Sequence, residues 1–209
     1  WRTAPDELRE LVEAVDDADF QFAAHAIGDA AIDALLTAVE SVDAADERHR
    51  IEHAEVLTGD LVERLAASPL VVSAQPNFHR WAEPGGLYDE RLGERRERTN
   101  RFRDLVDAGA QLVFGSDCMP LDPLYGIQQA VTAPEQGQRL TVTEALRTYT
   151  RGGAYAGFDE DRLGTVTSGM AADFVVLSES PWDVPDDDIA GIQVVLTVSD
   201  GDVIFDGRA

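Results

Sequence analysis

The sequence predicts an α/β fold in which helices cover a parallel sheet and a short antiparallel tail follows. Three observations predict it. Short runs that are apolar throughout alternate with stretches whose apolar residues recur at helical spacing. The character changes after about Phe158, where brief strand-like runs replace that alternation, and Asp200-Gly201 supplies a hairpin turn between two of them.

The elements follow in order. Pro5-Asp6-Glu7 ahead of Leu8, Leu11, Val12 and Val15 predicts a helix with proline and acids in its first turn. Phe20 to His25 is a short strand, and Gly28-Asp29 opens a helix through Ile32, Leu35, Leu36 and Val39. His49 to His53 is the next strand, Thr58 to Ala67 a helix, Leu70 to Ala74 a strand, Thr99 to Ala108 a helix and Gln111 to Phe114 a fourth strand, with a helix beginning near Asp122. Four apolar strands separated by amphipathic helices suit a barrel or a doubly wound sheet equally. In the tail, Gly164-Thr165-Val166, Asp173 to Leu177 and Val194 to Phe205 predict antiparallel strands, and Asp183 to Asp188 a solvated acidic loop.

Composition bounds the function. The 209 residues, 44% of them hydrophobic, suffice for a sizeable core. A formal charge of −23 would be repelled by nucleic acid and by anionic membranes, so neither is an expected partner. All 17 basic residues are arginine, and the 40 acidic ones are spread along the chain, which suggests adaptation to a salt-rich cytoplasm. The lone Cys118 excludes an internal disulfide and fits a reducing, cytoplasmic compartment. The start at Trp1 without a leader suggests a chain that begins mid-protein.

Three predicted strands end in side chains able to hold a metal: His25, His53 and Asp117. Each alone reads as an ordinary residue, and an Asp after a strand is often a helix N-cap. Together they fall at corresponding points of separate βα units in a chain with four histidines. C-terminal strand ends surround one mouth in a parallel barrel, so these residues would converge there. Two imidazoles and a carboxylate suit Zn²⁺ or a similar divalent ion.

The ordered motifs resemble the amidohydrolase superfamily, in particular the amidohydrolase family 3 branch that includes N-substituted formamide deformylase. His25-Ala26-Ile27-Gly28-Asp29 is similar to its fifth-strand motif, Ile51-Glu52-His53-Ala54 to its sixth and Gly115-Ser116-Asp117 to its eighth. Ser73-Ala74-Gln75-Pro76-Asn77-Phe78 with Trp81, then Tyr88 to Arg91 and Arg96, resembles the loop after the seventh. Gly169 to Leu177 resembles the return from barrel to β-sandwich.

The resemblance implies the C-terminal half of a metal-dependent-hydrolase (β/α)8 TIM-like barrel over residues 1–158, holding strands five to eight, and a β-sandwich segment over 159–209. It implies that His25, His53 and Asp117 bind one or two divalent ions, zinc first. Asp117 would also act as general base in hydrolysing an amide- or formamide-type C–N bond of a small molecule. Gln75, Asn77, Trp81, Arg91 and Arg96 are candidates for substrate binding, with loop packing and surface ion pairs as the other reading. Cys118 is read as a small buried thiol.

The chain lacks the family's early His-x-His pair, and a bridging carbamylated lysine is impossible without lysine. Further metal ligands are therefore expected in an N-terminal half, and the isolated piece is expected to be inactive. A complete barrel takes about 250 residues. Four open parallel strands leave edges that a homo-oligomer or the missing half-barrel would pair. The alternatives are a non-catalytic regulatory or binding protein on the same scaffold, and a hydrolase of esters, lactones or phosphoesters.

Overall fold

The computed structural model describes residues 2–42, 48–117 and 120–208. Four strands, β1 (Ala23–Ala26), β2 (Arg50–His53), β3 (Val71–Ala74) and β4 (Gln111–Phe114), form a parallel sheet in the order β1-β2-β3-β4. The register pairs Ala26 with His53, Glu52 with Ser73, and Ala74 with Phe114, so all four strands end at one rim.

The connecting helices bury their apolar stripes on this sheet. Helix α1 (Pro5–Asp16) starts on Pro5 and turns Val12 inward, and α2 (Asp29–Val39) buries Ile32, Leu35, Leu36 and Val39. Helix α3 (Gly59–Ala67) buries Leu61, Val62 and Leu65. A 3-10 segment (Pro76–Ala82), the short helix α4 (Leu87–Leu92) and a second 3-10 segment (Gly93–Arg98) follow β3, before α5 (Phe102–Ala108). After β4, Asp122 caps α6 (Pro123–Val131) by accepting from Leu124 N and Tyr125 N.

Helix α7 (Val142–Arg147) opens with a capping box in which Thr141 and Glu144 exchange hydrogen bonds. It runs through a π-helical turn (Thr148–Gly152) into α8 (Gly153–Ala156). Gly152 lies against β4: a Cβ there would stand 3.1 Å from Val113 Cγ1 and 3.2 Å from Leu112 O. The tail forms an antiparallel sheet of β5 (Phe174–Leu177), β6 (Val194–Ser199) and β7 (Asp202–Asp206). Asp200 and Gly201, at φ 49° and 85°, turn β6 into β7 as the sequence predicts.

Four expectations change. The first strand begins at Ala23 instead of Phe20: Phe20 is exposed and its amide donates back to Val15 O at 3.1 Å, while Phe22 meets β2 through its carbonyl, which accepts from Arg50 N at 2.9 Å. The helix expected from Thr99 starts at Phe102, since Asn100 takes a left-handed φ of 51°. Gly164 to Val166 is a turn region, with Gly164 at φ 92°. The acidic stretch ends in a 3-10 turn (Asp186–Gly191), because Ile189 and Ile192 are drawn into the main core and Ala190 N donates to Gln128 Oε1 on α6. Cys118 lies outside the described residues.

Candidate active site

The rim positions the proposed chemistry. His25, next to last in β1, and His53, last in β2, lie at the ends of adjacent parallel strands, and their rings meet there: His25 Nδ1 lies 2.7 Å from His53 Nε2, with centroids 4.8 Å apart. His25 is exposed and His53 is buried. The other nitrogen of His53, Nδ1, lies 2.8 Å from Gln75 Oε1. An amide oxygen only accepts, so Nδ1 carries the proton and Nε2 of the neutral ring offers its lone pair toward His25. Gln75 is itself held by donating Nε2–H to Ser73 O at 3.1 Å.

The backbone is strained at the same place. His53, Ala54 and Asp117 have φ of 79°, 49° and 55°, left-handed values that non-glycine residues rarely adopt. Each costs on the order of 1–3 kcal/mol, and such residues gather at functional sites. At the end of β2 the reversal turns Ala54 N toward Ala26 O and Glu52 O, at 3.1 and 3.2 Å.

Asp117 is exposed, three residues beyond β4. Among the described residues, no group of three or more His, Cys, Asp or Glu side chains stands close enough to hold an ion. The structure thus brings His25 and His53 together and leaves Asp117 outside their immediate contact. The carboxylate of Asp117 still acts on a residue that sequence reasoning missed. Glu55 is buried, and burial holds its carboxyl above the usual carboxylate range. The Tyr88 hydroxyl, which donates to Glu55 Oε2 at 2.6 Å, and the His53 ring oppose that rise, while the Asp117 charge adds to it. Burial followed by the Glu55 charge raises the Tyr88 hydroxyl in turn.

The five substrate-binding candidates divide. Gln75 and Asn77 are buried with their polar atoms engaged by protein: Gln75 by His53 and Ser73, Asn77 by the Pro120 carbonyl at 2.8 Å and the Tyr149 hydroxyl at 3.4 Å. Trp81 is half-buried in an aromatic row, 4.4 Å from Phe78 and 6.3 Å from Tyr88 between centroids, and Phe78 stacks at 6.0 Å from His53. Arg91 is exposed beside Glu90 at 3.2 Å, and Arg96 pairs with Asp89 at 3.0 Å.

Two converging imidazoles, one with its tautomer set by a side-chain amide, fit a divalent ion such as zinc as far as they go: they are two donors of a set that needs more. Parallel βα units with histidines at one rim of the sheet are the arrangement that a parallel barrel presents at its C-terminal face.

A sequence profile described as "Amidohydrolase family" matches residues 1–205, and the chain belongs to that family. It is 32% identical to YtcJ of Bacillus subtilis over 95% of this chain and 40% of that protein. It is 30% identical to the N-substituted formamide deformylase of Arthrobacter pascens over 93% of this chain and 38% of that protein. Among solved structures, an uncharacterised metal-dependent hydrolase of Pyrococcus horikoshii OT3 superposes with a TM-score of 0.74 at 30% identity, over 88% of this chain and 39% of that one. The chain therefore spans about two fifths of the length of these relatives. The fold is the C-terminal half of a metal-dependent-hydrolase (β/α)8 barrel with an antiparallel sheet appended. Among the described residues no helix is long and apolar enough to cross a membrane.

Proposed function

We propose that this chain is half of a metal-dependent hydrolase that cleaves amide- or formamide-type C–N bonds of small molecules. One observation carries the proposal: two imidazoles from adjacent strand ends face each other at 2.7 Å, the buried one oriented by Gln75. His25, His53 and Asp117 would hold a divalent ion, zinc first, with further ligands from outside the described residues. Bound there, the ion lowers the pKa of a coordinated water and polarises a carbonyl.

Asp117 is the general base. It takes the proton from the attacking water and returns it to the leaving amine, so one carboxylate serves both half-steps. Gln75 keeps His53 in the tautomer that donates Nε2. Trp81 and its aromatic neighbours form a wall against which an apolar substituent can rest. The C–N preference is supported by membership of the amidohydrolase family and by the likeness to a formamide deformylase.

The partner is a complementary half-barrel. Among the described residues strand β1 pairs only with β2, and beside it an open cavity of about 690 Å³ is lined by Leu8, Ala24, His25, Ile27 and Leu35. An uncovered parallel edge with apolar walls is an aggregation liability until another strand pairs with it. The domain division at residue 158 belongs to this proposal. The count of two donors favours a second reading, a non-catalytic regulatory or binding protein on this scaffold.

The test is turnover of the full-length protein carrying His25→Ala, His53→Ala or Asp117→Asn. Each is expected to lose activity, Asp117→Asn by about 10²- to 10⁴-fold, the usual contribution of a general base. Undiminished turnover in all three rejects the assignment. A wild-type protein that holds stoichiometric zinc without hydrolysing an amide, formamide or ester panel supports the second reading.

A further inference from the structure

The chain around Asp117 is held at three described positions, Gly115, Pro120 and Asp122. At its start, Gly115 N donates to Ala74 O at 3.0 Å, tying it to β3. At its end, Asp122 caps α6. Between them, Asn77 Nδ2 donates to Pro120 O at 2.8 Å from the neighbouring loop, and Asn77 is 0% exposed. An amide with no route to solvent and a normal hydrogen bond to a backbone carbonyl serves the fold of that segment, since a buried polar group without a partner costs free energy.

Asn77 is held in turn. The Tyr149 hydroxyl donates to Asn77 Oδ1 across a long 3.4 Å, and its ring packs edge-on against Phe114, the last residue of β4, at 5.6 Å. Tyr149 comes from the π-helical turn Thr148–Gly152, an irregularity that re-aims a side chain within an otherwise helical run. Room for the hydroxyl exists because residue 126 is glycine. A Cβ there would lie 1.8 Å from Tyr149 Oη and 2.7 Å from Asn77 Oδ1, inside both atoms.

The geometry points to Asn77, Tyr149 and Gly126 as a latch that positions Asp117: Asn77 fixes the segment at Pro120, Tyr149 fixes Asn77, and Gly126 leaves space for the pair. Asn77 is then a positioning residue and touches no substrate. The inference rests on the reading of Asp117 as general base. It adds three residues, on the β3 loop, on α6 and on the π-turn, that act through that carboxylate. Asp117 sits in a left-handed conformation that needs outside support, and the latch supplies it.

The test uses the full-length protein loaded with zinc. Asn77→Ala, Asn77→Asp, Tyr149→Phe and Gly126→Ala are compared with Asp117→Asn. Asn77→Asp keeps the shape but replaces the donor facing Pro120 O with an acceptor. A displacement of about 1 Å at a reacting group costs up to about 100-fold in rate. Asn77→Ala, Asn77→Asp and Gly126→Ala are expected to lower kcat by about 10- to 100-fold with KM nearly constant, and Tyr149→Phe by less.

Amide exchange across residues 115–122 reads the latch independently of turnover and is expected to quicken in the three severe variants. A raised KM with unchanged kcat in the Asn77 variants would show that Asn77 contacts substrate, which overturns the latch. Full activity in Asn77→Asp together with loss in Asp117→Asn overturns the latch alone. Full activity in Asp117→Asn overturns the general-base reading and the latch's catalytic purpose with it, even where exchange quickens. If Asn77→Ala does not fold, Asn77→Asp and Tyr149→Phe carry the same decision.

Discussion

The two ends of the parallel sheet both gather polar side chains, but to opposite purpose. At the N-terminal end, Arg48 donates to both carboxylate oxygens of Glu160, at 2.9 and 2.6 Å, and to Tyr155 O at 2.6 Å. Its guanidinium lies 3.9 Å from the centre of the Tyr155 ring and 4.5 Å from that of Phe158. Gln21 bridges Arg48 O and Ala156 O. At the C-terminal end, His25 and His53 turn nitrogens toward one shared point, and Asp117 stands exposed beyond them. Left-handed backbone occurs at both ends, at Arg48 and Phe158 as well as at His53 and Asp117. Strain alone therefore does not mark the active end. The mark is strain combined with polar atoms that face a common position instead of closing on one another, as barrel architecture leads one to expect of the strands' C-terminal face.

The largest effect that sharpens this contrast involves a histidine outside both clusters. His79 is buried beside the backbone carbonyls of Gln129 and Asn100, and burial, partly opposed by those carbonyls, lowers its pKa to about 4. A depressed folded-state pKa means that the unfolded chain takes up the proton first. The stability is thus fully present above the ordinary value near 6.5 and is lost as pH falls toward 4. At 1.36 kcal/mol per unit, the loss is up to about 3 kcal/mol. Urea melts between pH 7 and pH 4 should show it, and His79→Gln should flatten the profile, whereas His25→Ala should leave the slope in place.

The next effect separates the ends directly. Removing the amide behind His53 with Gln75→Ala should weaken zinc affinity by about 10- to 100-fold, the usual cost of losing such a partner. Calorimetric titration of the full-length protein checks it. Glutamate at this position, which also accepts from Nδ1–H, should restore most of the affinity. The smallest effect lies at the other end. Arg48→Ala loses two ring contacts worth roughly 0.5–1 kcal/mol each, along with the carboxylate fork. Its melting temperature should drop while zinc affinity stays unchanged. Lysine there should recover only part, lacking the planar fork. A change in zinc affinity in Arg48→Ala would contradict the division of labour between the ends.

Much of this was legible in the sequence. Short strand-like runs and amphipathic stretches gave four parallel strands within three residues of their limits; β3 and β4, mostly buried, carry the continuous apolar signature, whereas β1 and β2 are part-exposed. Asp200-Gly201 gave the hairpin through its φ preference alone. His25, His53 and Asp117 were visible from their place after strands, and the structure brings the first two together. What stayed hidden depends on tertiary partners. Nothing local distinguishes Gln75 as the oxygen behind His53, or Asn77 as a buried tie to Pro120, from loop amides awaiting substrate. Glu55 and Tyr88 were legible as residues but not as a buried pair. Ile189 and Ile192, just past the exposed aspartates, anchor the end of that acidic stretch in the core.

The central claim is that His25 Nδ1 and His53 Nε2 meet at one ion, and the four histidines allow a direct test within one sample. Nitrogen-15 correlation spectra of the imidazoles report protonation and coordination at each ring nitrogen. Without metal, His53 should show the Nδ1–H tautomer. On adding zinc, His25 Nδ1 and His53 Nε2 should shift together while His49 and His79 stay in place. A shift confined to one of the pair, or appearing at His49 or His79 instead, would contradict the shared site.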